Sequence, residues 1–340
     1  NVEPCRKVIQ DAFEQNITHA PGMEHVREMV TGPIIPTPGA VMECTKLLYE
    51  YLGDLIVLDV GGATTDLHSV TVESDQVARL MISPEPKAKR TVEGDLGVYV
   101  NRWKVVESIG EEKLREQCRE QGFSMEHALE TYRAIPKTEE EVKLVELLTR
   151  EAVVKAAERH AGRLRYIYGP SGRSTVAEGK DLTQVKYIVG TGGALTRLPH
   201  REEIMREITR CNESGMLLLP GEHAQILVDH DYIMASLGVL SKRYPQAAAR
   251  LLEQSLGITF PERKAEEPVP VCNKELSRLE TQRQQREEEL QRHIEECEAM
   301  GYDMSAYREN KPKAGDCSHE CSRCTRLHCP NRTTQEGASS

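Results

Sequence analysis

The sequence predicts an α/β protein with a mixed sheet and flanking helices, and three observations carry that prediction. Residues 55–60, Leu-Ile-Val-Leu-Asp-Val, form an apolar, β-branched run short enough for a strand buried on both faces, and it empties into Gly61-Gly62-Ala63-Thr64-Thr65-Asp66. A second such run, 185–189, empties into Gly190-Thr191-Gly192-Gly193-Ala194. Between them, residues 138–160 carry Val142, Val145, Leu148, Ala152, Val153, Ala156 and Ala157 at helical spacing, so a long amphipathic helix packs on the sheet.

Going along the chain, residues 5–14 and 23–29 read as short helices before the Gly- and Pro-rich break at 32–39. Residues 40–52 place Val41, Cys44, Leu47, Leu48 and Tyr51 on one helical face, leading directly into the first strand. After Asp66 the alternation of residues 67–72, a polar turn at 73–75 and a run at 77–82 read, with residues 55–60, as a three-stranded antiparallel meander. His68 reads as a half-exposed strand histidine. Residues 83–90, with Lys87, Lys89 and Arg90, read as a solvated connection. In the stretch after it, Glu93 and Asp95 either face a cleft or, at Asp95, cap the next helix.

Residues 105–149 are helical and polar in composition. Beyond Gly162, residues 163–168 and 174–177 flank a Gly-Pro-Ser-Gly turn and make a hairpin. Leu217-Leu218-Leu219 and Ile226-Leu227-Val228 read as short buried strands. Residues 232–240 then form a helix whose Ala235, Ser236 and Gly238 allow close approach of another helix, as a hinge between lobes requires. Residues 261–272 are a charged, Pro-rich linker, 273–304 a polar helix and 305–340 a Cys-rich tail.

At 340 residues the chain is long enough for two domains. A net charge of −10 without a basic stripe argues against nucleic acid as the main partner, because counterion release needs clustered Lys and Arg. There is no apolar run long enough to span a bilayer and no signal-peptide core, so the chain reads as cytoplasmic. It begins Asn1-Val2-Glu3-Pro4 without Met and reads as a fragment or a processed product.

The chemistry centres on the first glycine turn. Glycine permits φ > 0 and close backbone approach, so successive N–H groups point at one anion, and Thr64 and Thr65 add hydroxyl donors: a phosphate cradle. Asp59 and Asp66 flank it with negative charge that suits a hard cation such as Mg²⁺, bound through water and one or two carboxylates. The plainer alternative is a hairpin whose glycines only turn the chain. The second glycine turn suggests the other side of one nucleotide cleft, or is one more tight strand-to-helix connection.

Five stretches in order, Pro36-Thr37-Pro38-Gly39-Ala40-Val41, residues 59–66, Arg90-Thr91-Val92-Glu93-Gly94-Asp95-Leu96-Gly97, residues 173–180 and residues 190–199, give the chain a specific likeness over residues 30–260. It resembles the actin, Hsp70 and sugar-kinase ATPase superfamily, whose lobes are ribonuclease H-like. Within that superfamily it is more closely similar to the GlmL/MutL family, encoded beside adenosylcobalamin-dependent glutamate mutase and related aminomutases. The resemblance implies ATP between two lobes. Gly61, Gly62, Ala63, Thr64 and Thr65 would hold its β- and γ-phosphates. Asp59 and Asp66 would act as catalytic carboxylates that orient Mg²⁺ and its waters, and Gly190, Thr191, Gly192, Gly193 and Ala194 would line the adenosine side. It also implies that residues 39–260 are an ATPase-like domain with a helical insertion at about 100–160. The superfamily's first phosphate loop is not found, so residues 1–38 would be the remnant of a missing N-terminal lobe, and this chain is expected to bind ATP weakly.

The function implied is that of an ATP-dependent reactivating or chaperone-like factor for an adenosylcobalamin-dependent mutase, with hydrolysis changing lobe closure. The alternatives are a small-molecule kinase of the same fold, for which no residue identifies itself as the base, and a non-catalytic mutase-binding assembly protein.

Of ten cysteines, six are scattered singly as free thiols are in reducing compartments. Cys317, Cys321, Cys324 and Cys329, with His319 and His328 among them, crowd into a segment too short and polar to build a core. Zinc ligation would supply the missing folding free energy. An iron–sulfur cluster is the second reading, and incidental free thiols in a disordered tail the third.

Overall fold

The computed structural model describes residues 34–261, apart from 170, 171 and 213, together with residues 23–30 and a few isolated positions. Chain contacts divide the protein into a unit of Asn1–Glu262 and a unit of Arg263–Ser340. Most of the 5–14 helix, almost all of the linker, and the polar helix and Cys-rich tail lie outside the described residues.

Within the first unit, α1 (Met23–Met29) and α2 (Thr37–Leu52) precede β1 (Leu55–Val60) and β2 (Thr65–Val70). Next come α3 (Asp75–Ala78), β3 (Ala88–Glu93), α4 (Arg102–Ile109), α5 (Glu111–Glu120), α6 (Met125–Glu130) and the long α7 (Glu139–His160). A hairpin of β4 (Arg163–Gly169) and β5 (Gly172–Glu178) leads to β6 (Tyr187–Thr191), α8 (Gly192–Arg197), α9 (Arg201–Arg206), β7 (Gln225–Val228), α10 (Met234–Ser241) and α11 (Pro245–Leu256). The main sheet has the order β3-β2-β1-β6-β7. β3, β2 and β1 pair antiparallel, and β6 and β7 run parallel to β1.

The continuous apolar run of β1 makes it the central strand, because both of its faces are covered. Leu55 and Val57 pack with Leu48 and Leu52 of α2, Leu237 of α10 and Leu252 of α11. Ile56, Leu58 and Val60 pack with Leu144, Leu148 and Ala152 of α7 and Leu195 of α8. α7 starts with a capping box, Thr138 and Glu141 satisfying each other's backbone N–H groups, so its apolar stripe is registered on the sheet from its first turn. α10 lies against α2 so closely that a Cβ on Gly238 would fall 1.8 Å from the Ala40 carbonyl oxygen, which is the close helix approach that the small residues predict.

Five expectations are corrected. The third strand of the meander is Ala88–Glu93, not residues 77–82. Ser74 accepts a hydrogen bond from the Val77 N–H and starts the short α3 instead, and of residues 77–82 only Met81 makes a bridge, to Ala177. The true edge strand was hidden by its polar composition, which is how natural sheets blunt an edge; Lys89 and Arg90 therefore belong to the sheet and not to a connection. His68 is fully buried, both ring nitrogens lack a partner among the described residues, and burial lowers its pKa to about 3. Asp95 does not cap the next helix, whose N-cap position is Asn101. Arg159 donates Nη1 to Glu93 and both Nη1 and Nη2 to Asp95, clamping the end of β3 to α7. Of residues 217–219, only Leu217 pairs as strand, in one bridge to Arg163.

Candidate functional site

The hairpin turn between β1 and β2 has the carbonyls of Gly61, Gly62 and Ala63 taken up by the segment 98–101. Gly61 N–H donates to the Thr64 carbonyl at 2.9 Å and closes the turn. The Gly61 carbonyl accepts from Val98 N–H at 3.1 Å, and that of Gly62 from Tyr99 N–H at 2.9 Å and Val100 N–H at 2.7 Å. The Ala63 carbonyl accepts from Asn101 Nδ2 at 2.7 Å, and the same amide reaches Gly94 at 2.8 Å. Gly97 lies flat against this turn: a Cβ there would fall 2.2 Å from the Ala63 carbonyl. The N–H groups of Gly62, Ala63 and Thr64 donate to no described residue, and Gly62 and Ala63 are exposed. Thr65 is oriented away, its hydroxyl donating to the Leu96 carbonyl at 2.8 Å.

Asp59 and Asp66 are directly opposite in the β1–β2 register and share the sheet face under α2. Like charges so placed repel. Burial, then Asp66, then Asp229 push the Asp59 pKa up to about 6. Asp66 is also raised, chiefly by burial. Its Oδ2 accepts from the Thr64 hydroxyl at 3.1 Å, while its buried Oδ1 has no partner among the described residues.

Asp229, just past β7, is the carboxylate that sequence reasoning left without a role. It is fully buried and accepts from Thr191 Oγ1 at 2.8 Å, Ser255 Oγ at 2.6 Å, Ile233 N–H at 3.2 Å and Met234 N–H at 3.0 Å, so it also fixes the first turn of α10. Its signal was the one Asp59 gives, a carboxylate ending an apolar strand. Tyr232 stands beside both carboxylates with φ 54°, a left-handed backbone rare outside glycine. Asn101 gave no signal, because its hydrogen bonds join segments far apart in sequence.

The second glycine turn divides by face. Thr191 joins the carboxylates through Asp229. Gly192, with φ +85°, backs directly onto β1: a Cβ would fall 2.5 Å from Asp59 Oδ1 and 2.6 Å from the Val60 backbone. Gly193 is exposed with open space beside it. Gly190 faces Met205 of α9, and Ala194 is buried in the α7-side core. Three carboxylates, the hydroxyls of Thr64, Thr191 and Ser255 and an open set of amides thus converge at one end of β1, β6 and β7. Among the described residues, no group of three His, Cys, Asp or Glu side chains is arranged to hold a metal ion directly. No described helix is long and apolar enough to cross a membrane. Cys317, Cys321, Cys324 and Cys329 lie outside the described residues.

A family model described as MutL protein matches residues 1–256. Among curated proteins, Protein MutL of Clostridium tetanomorphum is similar, at 35% identity over 268 residues that cover 75% of this chain and 58% of that relative. The chain therefore spans less than two thirds of the length of that relative.

Proposed function

The chain belongs to the MutL family, and from that premise we propose that it is part of an ATP-dependent reactivating or chaperone-like factor for an adenosylcobalamin-dependent mutase, glutamate mutase or a related aminomutase. The observation that carries the nucleotide half of this reading is the convergence of Asp59, Asp66 and Asp229 beside a turn whose Gly62, Ala63 and Thr64 amides are open. The strand order, three antiparallel strands followed by two parallel ones, supports reading the sheet as a ribonuclease H-like lobe of the actin and Hsp70 kind. The mutase half rests on the family alone.

The residues fit Mg²⁺ and ATP. Asp66 Oδ1 is a buried acceptor without a partner among the described residues, and burial, then the charges of Asp66 and Asp229, push the Asp59 pKa up to about 6. Such carboxylates suit a hydrated cation, bound through water. When bound, Mg²⁺ would neutralise the phosphate charge that develops during transfer. The Gly62, Ala63 and Thr64 amides and the Thr64 hydroxyl would donate to phosphate oxygens. Asp66 would position water through its unpaired oxygen. Asp59, with a pKa of about 6, is suited to accept a proton from an attacking water near neutral pH. Asp229 would pass any movement at the site to α10 through the N–H groups of Ile233 and Met234, and α10 is packed on α2 without room to slip. Gly193 would give the backbone access to the nucleoside.

ATP hydrolysis by the full-length protein, measured with and without purified glutamate mutase, tests the proposal. Turnover stimulated by the mutase supports it. Turnover that answers only to a small hydroxyl substrate would make the protein a kinase, and mutase binding without turnover would leave an assembly protein.

A further inference from the structure

The β4–β5 hairpin is not explained by the nucleotide site. Its base is packed: Leu164 and Ala177 join Val77, Leu80, Met81 and Leu218 in a small apolar cluster, and bridges tie Ala161 to Lys180 and Met81 to Ala177. Lys180, fully buried, anchors the exit by donating to the carbonyls of Thr71, Pro86 and Lys87. Beyond the base the same strand face continues into solvent. Residues 164, 166 and 168 of β4 lie opposite 177, 175 and 173 of β5, so Tyr166, Tyr168 and Arg173 extend the stripe that Leu164 and Ala177 begin. Tyr166 is 48% exposed, Ile167 50% and Tyr168 79%, and the Arg173 guanidinium sits 4.5 Å from the Tyr166 ring centroid.

Two paired strands are marginally stable in water by themselves, and large apolar side chains on their distal half add no stability while solvated. Tyrosine and arginine together are the residues that dominate association energies, because they bury much area at little entropic cost and keep a polar end. The charge balance points to what they meet. The face that carries Tyr166 and Tyr168 holds Arg173 and no carboxylate, in a chain of net charge −10. On the opposite face Glu178 neutralises Arg165 at 2.7 Å, whereas among the described residues Arg173 has no ion pair and rests on the Tyr166 ring.

We propose that the distal half of this hairpin docks, through Tyr166, Tyr168 and Arg173 on one face, onto an acidic protein surface with an apolar recess, presented by the mutase. The assignment of that partner rests on the proposed function. Tyr168 would enter the recess and Arg173, pre-oriented by Tyr166, would pair with a carboxylate at its rim.

The test uses the full-length protein and purified glutamate mutase in a binding titration, comparing wild type with Tyr168→Ser and Arg173→Glu. Each substitution is expected to weaken binding roughly tenfold or more, and raised salt to weaken the wild type, while the unfolding temperature and any basal ATP hydrolysis stay unchanged. Wild-type affinity in both variants would place the docking surface elsewhere and overturn the inference while leaving the proposed function intact. So would a wild-type dimer that Tyr168→Ser converts to a monomer, or affinity for a single-stranded RNA oligonucleotide that Arg173→Glu abolishes. No binding of mutase by the wild type would instead defeat the proposed function, and this inference with it.

Discussion

Asp59→Asn is expected to make the protein more stable at neutral pH, by an amount that depends on pH in a defined way. Burial and the charges of Asp66 and Asp229 raise the Asp59 pKa from 3.8 to about 6, and at about 1.4 kcal/mol per pKa unit the charged carboxylate costs the fold roughly 3 kcal/mol. Because the folded value lies above the unfolded one, the folded state holds the proton more tightly. Stability from this group is fully present below pH 3.8 and is lost as pH rises through about 6. Replacing the carboxylate by an amide of the same shape removes the penalty. Urea denaturation of wild type and variant in parallel cancels the titration of the groups that are not coupled to Asp59. The variant's advantage should approach about 3 kcal/mol at pH 8 and shrink to about 1 kcal/mol at pH 4.5. An advantage independent of pH, or a variant less stable than wild type at pH 8, would refute the electrostatic reasoning. The same penalty is what a bound cation would offset, so Mg²⁺ should narrow the gap at pH 8.

Three further outcomes follow from the site and its surroundings. In the full-length protein, Asp59→Ala and Asp66→Ala should each abolish Mg²⁺-dependent ATP hydrolysis without loss of the circular dichroism of the fold; retained turnover in both would remove the carboxylates from the mechanism. Gly238→Ala should cost roughly 1–3 kcal/mol in chemical denaturation, because its methyl group has to displace the Ala40 carbonyl and so separate α10 from α2; an unchanged midpoint would mean that the two helices slide freely. Protein purified anaerobically should carry one zinc per chain on Cys317, Cys321, Cys324 and Cys329 and be colourless. A brown protein would indicate an iron–sulfur cluster, and four freely reactive thiols without metal would dismiss both.

What the sequence determined by itself was the class of the fold and the place of its central turn. The apolar run of residues 55–60 reads as a strand covered on both sides, the stripe from Val142 to Ala157 as a helix face against a sheet, and the two glycines ahead of Thr64, Thr65 and Asp66 as the turn that ends the strand. These are local signals, set by side-chain periodicity and by the backbone freedom of glycine. The tertiary structure decided what periodicity does not encode. It placed Ala88–Glu93 at the sheet edge, since a polar edge strand has no apolar alternation to announce it. It buried His68 and turned Glu93 and Asp95 to Arg159. It brought Asp229 and Thr191 beside Asp59 through parallel pairing of β1, β6 and β7, which joins strand ends far apart in the chain. The same pairing showed that Gly192 is a glycine for lack of room against Asp59 and Val60, whereas Gly193 has open space, a difference of position that two identical residues in a row cannot express.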